Sequence, residues 1–101
     1  MELRSVLSRS PKIVLADDDW LNRDLLETYL TNAGCEVYSF PDGEQALKAI
    51  QELQPDLALL DIRMPRMDGL SVCHQVKRDT RTQFIPVVIV TALDSQDEEL
   101  N

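Results

Sequence analysis

Pro55-Asp56-Leu57-Ala58-Leu59-Leu60-Asp61-Ile62-Arg63-Met64-Pro65-Arg66-Met67-Asp68-Gly69 is the stretch on which the reading of the whole chain turns. Its apolar run, Leu57 to Leu60, stops abruptly at a carboxylate and passes into a turn-forming segment holding Pro65 and Gly69. A short uninterrupted apolar run is the pattern of a strand buried on both faces, and open parallel sheets bind their ligands outside the carboxyl ends of such strands. A second run, Ile13-Val14-Leu15-Ala16, ends the same way in Asp17-Asp18-Asp19. Two strands that deliver acid groups to one sheet edge make a site for a hard cation.

Working outward, Lys12 to Ala16 reads as the first strand. From Trp20 to Ala33 the period changes: Leu21, Leu25, Leu26 and Leu30 recur at helical spacing, with Asn22, Arg23, Glu27 and Asn32 largely on the other side. Asp18 or Asp19 can cap that helix and Gly34 can end it. Glu36 to Phe40 is rich in strand formers, Pro41-Asp42-Gly43 is a turn, and Glu44 to Leu53 is a second helix with Ala46, Leu47, Ile50 and Leu53 inward. The buried strand Asp56 to Leu60 follows, then a third helix, Leu70 to Arg78, with Leu70, Cys73 and Val76 inward. Pro86 to Val90 is the most apolar strand, closed by Thr91-Ala92, and Asp94 to Leu100 begins a fourth helix.

Alternating strands and helices with short crossovers predict an α/β fold, a doubly wound parallel sheet with helices on both faces. Right-handed crossovers allow the first strand to sit beside the third, and the location of the acids then points to the strand order 2-1-3-4. The winding then reverses between the first and third strands, where a ligand crevice is expected and where both acid-bearing strand ends lie.

The 101 residues suffice for one domain, and 44% hydrophobic with 28% charged residues suits a packed core under a polar surface. A net charge of −8 argues against direct nucleic-acid binding, which calls for a basic face. No run approaches the roughly 20 apolar residues of a membrane span. Residues 1–11 carry Arg4 and Arg9 without the apolar core of a signal peptide, so they read as a flexible leader before a domain over 12–101. The location expected from these features is cytoplasmic, with Cys35 and Cys73 as buried small hydrophobes and His74 as a solvated residue on a polar helical face.

Crowded carboxylates repel one another unless a cation lies between them. Mg²⁺ answers that need, because it takes oxygen ligands from one or two carboxylates and shares phosphate oxygens. Asp61 is then available as a nucleophile that forms an acyl phosphate, and Thr91, at the end of the fourth strand, has a hydroxyl suited to a phosphoryl oxygen. Against this stands a plainer reading, in which Asp17-Asp18-Asp19 is only a solvated loop and a helix cap.

In register, the motifs Asp17-Asp18, Pro41-Asp42-Gly43 with Ala46-Leu47, Leu60-Asp61-Ile62-Arg63-Met64-Pro65 with Met67-Asp68-Gly69, and Pro86-Val87-Val88-Ile89-Val90-Thr91-Ala92 resemble the receiver domain of two-component response regulators. The resemblance runs from about Lys12 to the end of the chain and implies a CheY-like, flavodoxin-like sandwich, five-stranded in the family. It further implies that Asp61 is the phosphoacceptor, that Asp17, Asp18, Asp61 and the Arg63 backbone carbonyl hold Mg²⁺, and that Thr91 and the Ala92 backbone amide bind the phosphoryl group as a switch. Pro65 and Gly69 would shape the loop after the acceptor. The implied partners are a sensor histidine kinase or phosphotransfer protein and a downstream effector.

One departure is visible. The family has an invariant lysine at the end of a fifth strand and a fifth helix beyond, whereas this chain stops at Asn101, and Lys12, Lys48 and Lys77 lie elsewhere. The expectation is a shortened receiver, whether cut down, a fragment or naturally short, that self-associates through the exposed edge of its fourth strand. Two other classes compete with the phosphoacceptor. An Asp-nucleophile phosphatase usually carries a second acid two residues beyond the nucleophile, where this chain has Arg63. A pseudo-receiver would act only as a protein-interaction or dimerisation module.

Overall fold

A computed structural model describes residues 9–90. Strands β1 (Lys12–Ala16), β2 (Glu36–Phe40), β3 (Leu57–Asp61) and β4 (Val87–Val90) alternate with helices α1 (Trp20–Asn32), α2 (Gly43–Leu53) and α3 (Gly69–Arg78). All strand pairs are parallel, in the order β2-β1-β3-β4 expected from the sequence and compatible with right-handed crossovers. The expected fourth helix, Thr91 and Ala92 lie outside the described residues.

Each helix starts at an aspartate. Asp19, Asp42 and Asp68 accept hydrogen bonds from the first backbone amides of α1, α2 and α3, which have no partner within the helix. At the other ends, Gly34 follows α1 with φ of 99°, and Gln54 closes α2 in the left-handed region at φ of 48°.

Strand alternation sorts the sheet into two faces. Val14, Ala16, Ala58 and Leu60 are buried with Ala46, Ala49 and Ile50 of α2 and Val72 and Val76 of α3 in one cluster. Phe40, Leu47, Leu53, Met64, Met67, Val87 and Ile89 surround it, half-buried. Ile13 and Leu15 are buried on the opposite face, which α1 covers along β1 and β2.

Two helix faces differ from the sequence reading. In α1, Leu21 and Leu25 are 50% and 58% exposed, Leu26 and Leu30 are half-buried, and no residue of the helix is fully buried. The helix packs chiefly on β1 and β2, and Leu25 instead lines an open cleft beside β3 and β4. In α3 the expected inward Leu70 is 56% exposed and Val72 is buried in its place. Gly69, Val72 and Val76, at helical spacing, point to the core while Cys73 is half-buried. Both cysteines are free and half-buried rather than buried, and His74 is exposed as expected.

The segment read as a leader meets the domain at its end. Both terminal guanidinium nitrogens of Arg9 donate to the Asp56 carboxylate at 2.9 Å, and the Lys12 amide donates to the same group at 2.8 Å. The Pro11 carbonyl accepts from Glu36 N at 2.8 Å, extending the β1–β2 pairing. The hydrogen bonds from Arg9 and from the Lys12 amide push the Asp56 carboxyl down to about 2. Residues 1–8 lie outside the described residues.

Candidate functional site

The parallel register places the acids. Ala16 pairs with Leu60 across β1 and β3, so the next residue of each strand, Asp17 and Asp61, reaches the same edge. One carboxylate oxygen from each of Asp17, Asp18 and Asp61 lies within 4.8 Å of the others. Sequence placed all three here, and the fold brings them together.

Their surroundings differ. Asp17 is buried, Asp61 half-buried and Asp18 exposed. The Asp17 amide donates to Phe40 O at 3.1 Å, continuing the ladder past the end of β1, and its Oδ1 accepts from Asp19 N at 2.9 Å. Burial raises the Asp17 carboxyl, the Asp19 amide opposes this, and the charges of Asp61, Asp18 and Asp19 raise it further. A cation between these groups would relieve both the burial and the repulsion. The donor set is all oxygen and carries the charge that Mg²⁺ selects, so the residues present fit that ion. Asp19 is the cap of α1, accepting from Leu21 N at 3.0 Å.

The acids open on a cleft of about 320 Å³ lined by Asp17, Asn22, Leu25, Leu26, Asp61 and Val90. One wall is acidic and the other apolar. Val90, the last described residue, stands opposite Asp61 in the β3–β4 register.

The loop after Asp61 is closed by Gly69 N donating to Ile62 O at 3.0 Å, and within it Met67 N donates to Pro65 O at 2.7 Å. Gly69 is required here for space, not for a left-handed backbone. A Cβ on it would collide with the Asp61 carbonyl oxygen, so α3 starts directly against the end of β3. Gly43 makes a similar approach to the Met67 carbonyl, bringing the start of α2 against the same loop. Arg66 bridges the two: it holds a left-handed φ of 72° and its Nε lies 3.3 Å from Asp42 Oδ2. The resemblance implied Pro65 and Gly69 as loop-shaping, and Pro41-Asp42-Gly43 read as a turn and as one of the motifs that carry the resemblance. The buttressing of one loop by the other is a tertiary contact with no local signal. Pro65 and Arg63 are exposed.

The comparisons with known proteins agree with this geometry. The family model described as response regulator receiver domain matches residues 13–100. The chain belongs to that family, whose members are regulatory domains rather than enzymes in the ordinary sense. The chain is 43% identical over 91 residues to the response regulator PleD of Caulobacter vibrioides, covering 90% of this chain and 20% of that protein. It is 39% identical over 90 residues to the DNA-binding dual master transcriptional regulator RpaA of Synechocystis, covering 89% of this chain and 37% of that protein. It thus spans only a minor part of the length of either relative.

Among solved structures, the receiver domain of the sensor histidine kinase PA1611 from Pseudomonas aeruginosa superposes with a TM-score of 0.80 at 27% identity, over 91% of this chain and 75% of that one. That structure has a magnesium ion coordinated in its active-site cleft. No helix among the described residues is long and apolar enough to cross a membrane.

Proposed function

We propose that this chain is a cytoplasmic phosphoacceptor module that takes a phosphoryl group onto Asp61 from a sensor histidine kinase or phosphotransfer protein and then changes conformation to signal to an effector. The observation that carries the reading is the convergence of Asp17, Asp18 and Asp61 within 4.8 Å at the carboxyl ends of two adjacent parallel strands. In this reading Asp17, Asp18, Asp61 and the Arg63 carbonyl hold Mg²⁺, and Thr91 and the Ala92 amide receive the phosphoryl oxygens.

The reaction follows from the residues. A carboxylate oxygen of Asp61 attacks phosphorus in line, and the P–N bond of a phosphohistidine breaks with its electron pair passing to the imidazole nitrogen. An acyl phosphate results. Mg²⁺, when bound, supplies neutralisation of the phosphoryl charge. Asp17 is buried and kept in place by the Asp19 amide, so its charge is directed at the cleft. Leu25, Leu26 and Val90 form the apolar side of that open cleft.

Intact mass after incubation with Mg²⁺ and acetyl phosphate tests this. One added phosphoryl group is expected, absent in Asp61→Asn and absent without the metal. A chain that gains no mass, or gains it in the variant as well, refutes the assignment.

The β4 strand favours a second reading, a module for protein interaction or self-association. Among the described residues β4 pairs on one side only, and Val88 and Val90 are 45% and 40% exposed. Such an apolar edge is a template for another chain. Sedimentation at rising concentration, with and without Mg²⁺, separates the readings: self-association indifferent to metal and to Asp61→Asn belongs to the second.

A further inference from the structure

Periodicity places Arg23 on the polar side of α1, yet its side chain turns back to the main chain of the acid loop. Its Nη1 donates to the Asp17 main-chain oxygen at 2.7 Å in a part-buried contact. The Arg23 amide donates to Asp19 O at 2.9 Å, in the first turn of the helix that Asp19 caps. The loop between β1 and α1 is therefore held from both ends by one residue.

The hydrogen bonds of Asp17 make the consequence plain. Its amide is committed to Phe40 O, its Oδ1 to the Asp19 amide, and its carbonyl to Arg23. That carbonyl belongs to the peptide joining Asp17 to Asp18, and a rotation of this peptide would swing Asp18 relative to Asp17. A charge-assisted bond to it is stronger than one from a neutral donor and resists that rotation.

We infer that Arg23 is a positioning residue for the metal centre, fixing the Asp17–Asp18 peptide so that both carboxylates stay within reach of one Mg²⁺ ion. The inference rests on the reading of Asp17, Asp18 and Asp61 as the metal-binding acids. Arg23 acts through the loop backbone and not by contact with metal or phosphoryl group.

Two physical effects of Arg23 oppose each other, which gives the test its sign. As a nearby positive charge it repels Mg²⁺, so removing it would tighten binding if charge were all it contributed. As a clamp it preorganises the ligands, so removing it loosens binding. Partners that orient metal ligands typically contribute about 10- to 100-fold in affinity.

The experiment is titration of Mg²⁺ alone into the 101-residue protein, followed by calorimetry and by the fluorescence of Trp20, which adjoins the acid loop. Arg23→Met, which keeps the aliphatic stem and deletes the donors, is expected to weaken Mg²⁺ about tenfold. Arg23→Lys, which keeps the charge but not the planar fork, is expected to fall between it and the parent. Thermal unfolding in a chelator checks that the metal-free fold is unchanged. Parent-like or tighter binding by a folded Arg23→Met overturns the inference. If that variant does not fold, Arg23→Lys decides: weaker binding supports the clamp and parent-like binding refutes it. A parent protein that does not bind Mg²⁺ overturns the metal reading itself, and the inference with it, so the two failures are distinguishable.

Discussion

On one face of the sheet Val14, Ala58 and Leu60 are sealed beneath α2 and α3, whereas on the other Val88 and Val90 keep 45% and 40% of their exposure beside a helix with no fully buried residue. Both faces are made of the same kinds of side chain. The difference lies in what covers them: two helices packed on each other as well as on the sheet, against α1 alone among the described residues. The acids sit where the two conditions meet, with Asp17 buried and Asp18 exposed. More of the buried apolar residues lie on the closed face, with Ile13 and Leu15 buried under α1 on the other, where the cleft that serves the acids opens toward Val90.

The largest expected effect sharpens that contrast. Leu60→Ala, on the closed face, is expected to cost about 2–5 kcal/mol, since neither helix can move in to fill the space. Val88→Ala, one strand away on the open face, is expected to cost about 0.5 kcal/mol or less. Equilibrium unfolding in urea measures both, and equal losses would erase the distinction between the faces.

A smaller effect is expected at the junction. Gly69→Ala drives a methyl group into the Asp61 carbonyl oxygen, and overpacking of this kind costs about 1–3 kcal/mol. Because the strain falls on Asp61 itself, the variant is also expected to take up phosphoryl groups more slowly than its loss of stability explains. Initial rates with acetyl phosphate, at a temperature where parent and variant are both folded, check this.

The smallest effect lies at the far end of the sheet and depends on pH. Asp56 has a carboxyl held down to about 2 by Arg9 and the Lys12 amide, against an ordinary value near 3.9 in the unfolded chain. A depressed acid stabilises the fold above its unfolded value and loses that contribution as pH falls through its folded value. Asp56→Asn is therefore expected to be slightly less stable than the parent above about pH 4, with the gap closing toward pH 2. Because the pair is exposed, salt is expected to shrink the gap as well. Urea midpoints at several pH values read it out, and a gap independent of pH would mean that the ion pair contributes nothing.

Some of this was legible in the residues alone. The strand runs Lys12 to Ala16 and Glu36 to Phe40 match the observed strands, and the order 2-1-3-4 followed from crossover handedness taken together with the placement of the acids. Asp17, Asp18 and Asp61 could be placed together because two strand ends and one topology leave them a single edge. The inward faces of α1 and α3 were not legible. Leucines at helical spacing predict that a helix has an apolar side, but not whether a neighbour covers it, as Leu25 and Leu70 demonstrate. Arg23 was equally hidden, because a long side chain reaches over the preceding turn and its partner is a backbone atom, which has no sequence signature.

The sequence by itself determined the elements, their parallel order and the edge at which the acids gather, since period, capping and handedness are local or nearly local in origin. Only the tertiary structure decided which apolar residues are covered, why Gly43 and Gly69 must lack a side chain, how Arg23 holds the loop before its own helix, and how Arg66 ties two separate loops together. Those facts depend on how finished elements and loops dock on one another, over separations from Arg23–Asp17 to Gly43–Met67, and such docking has no signal in the local sequence.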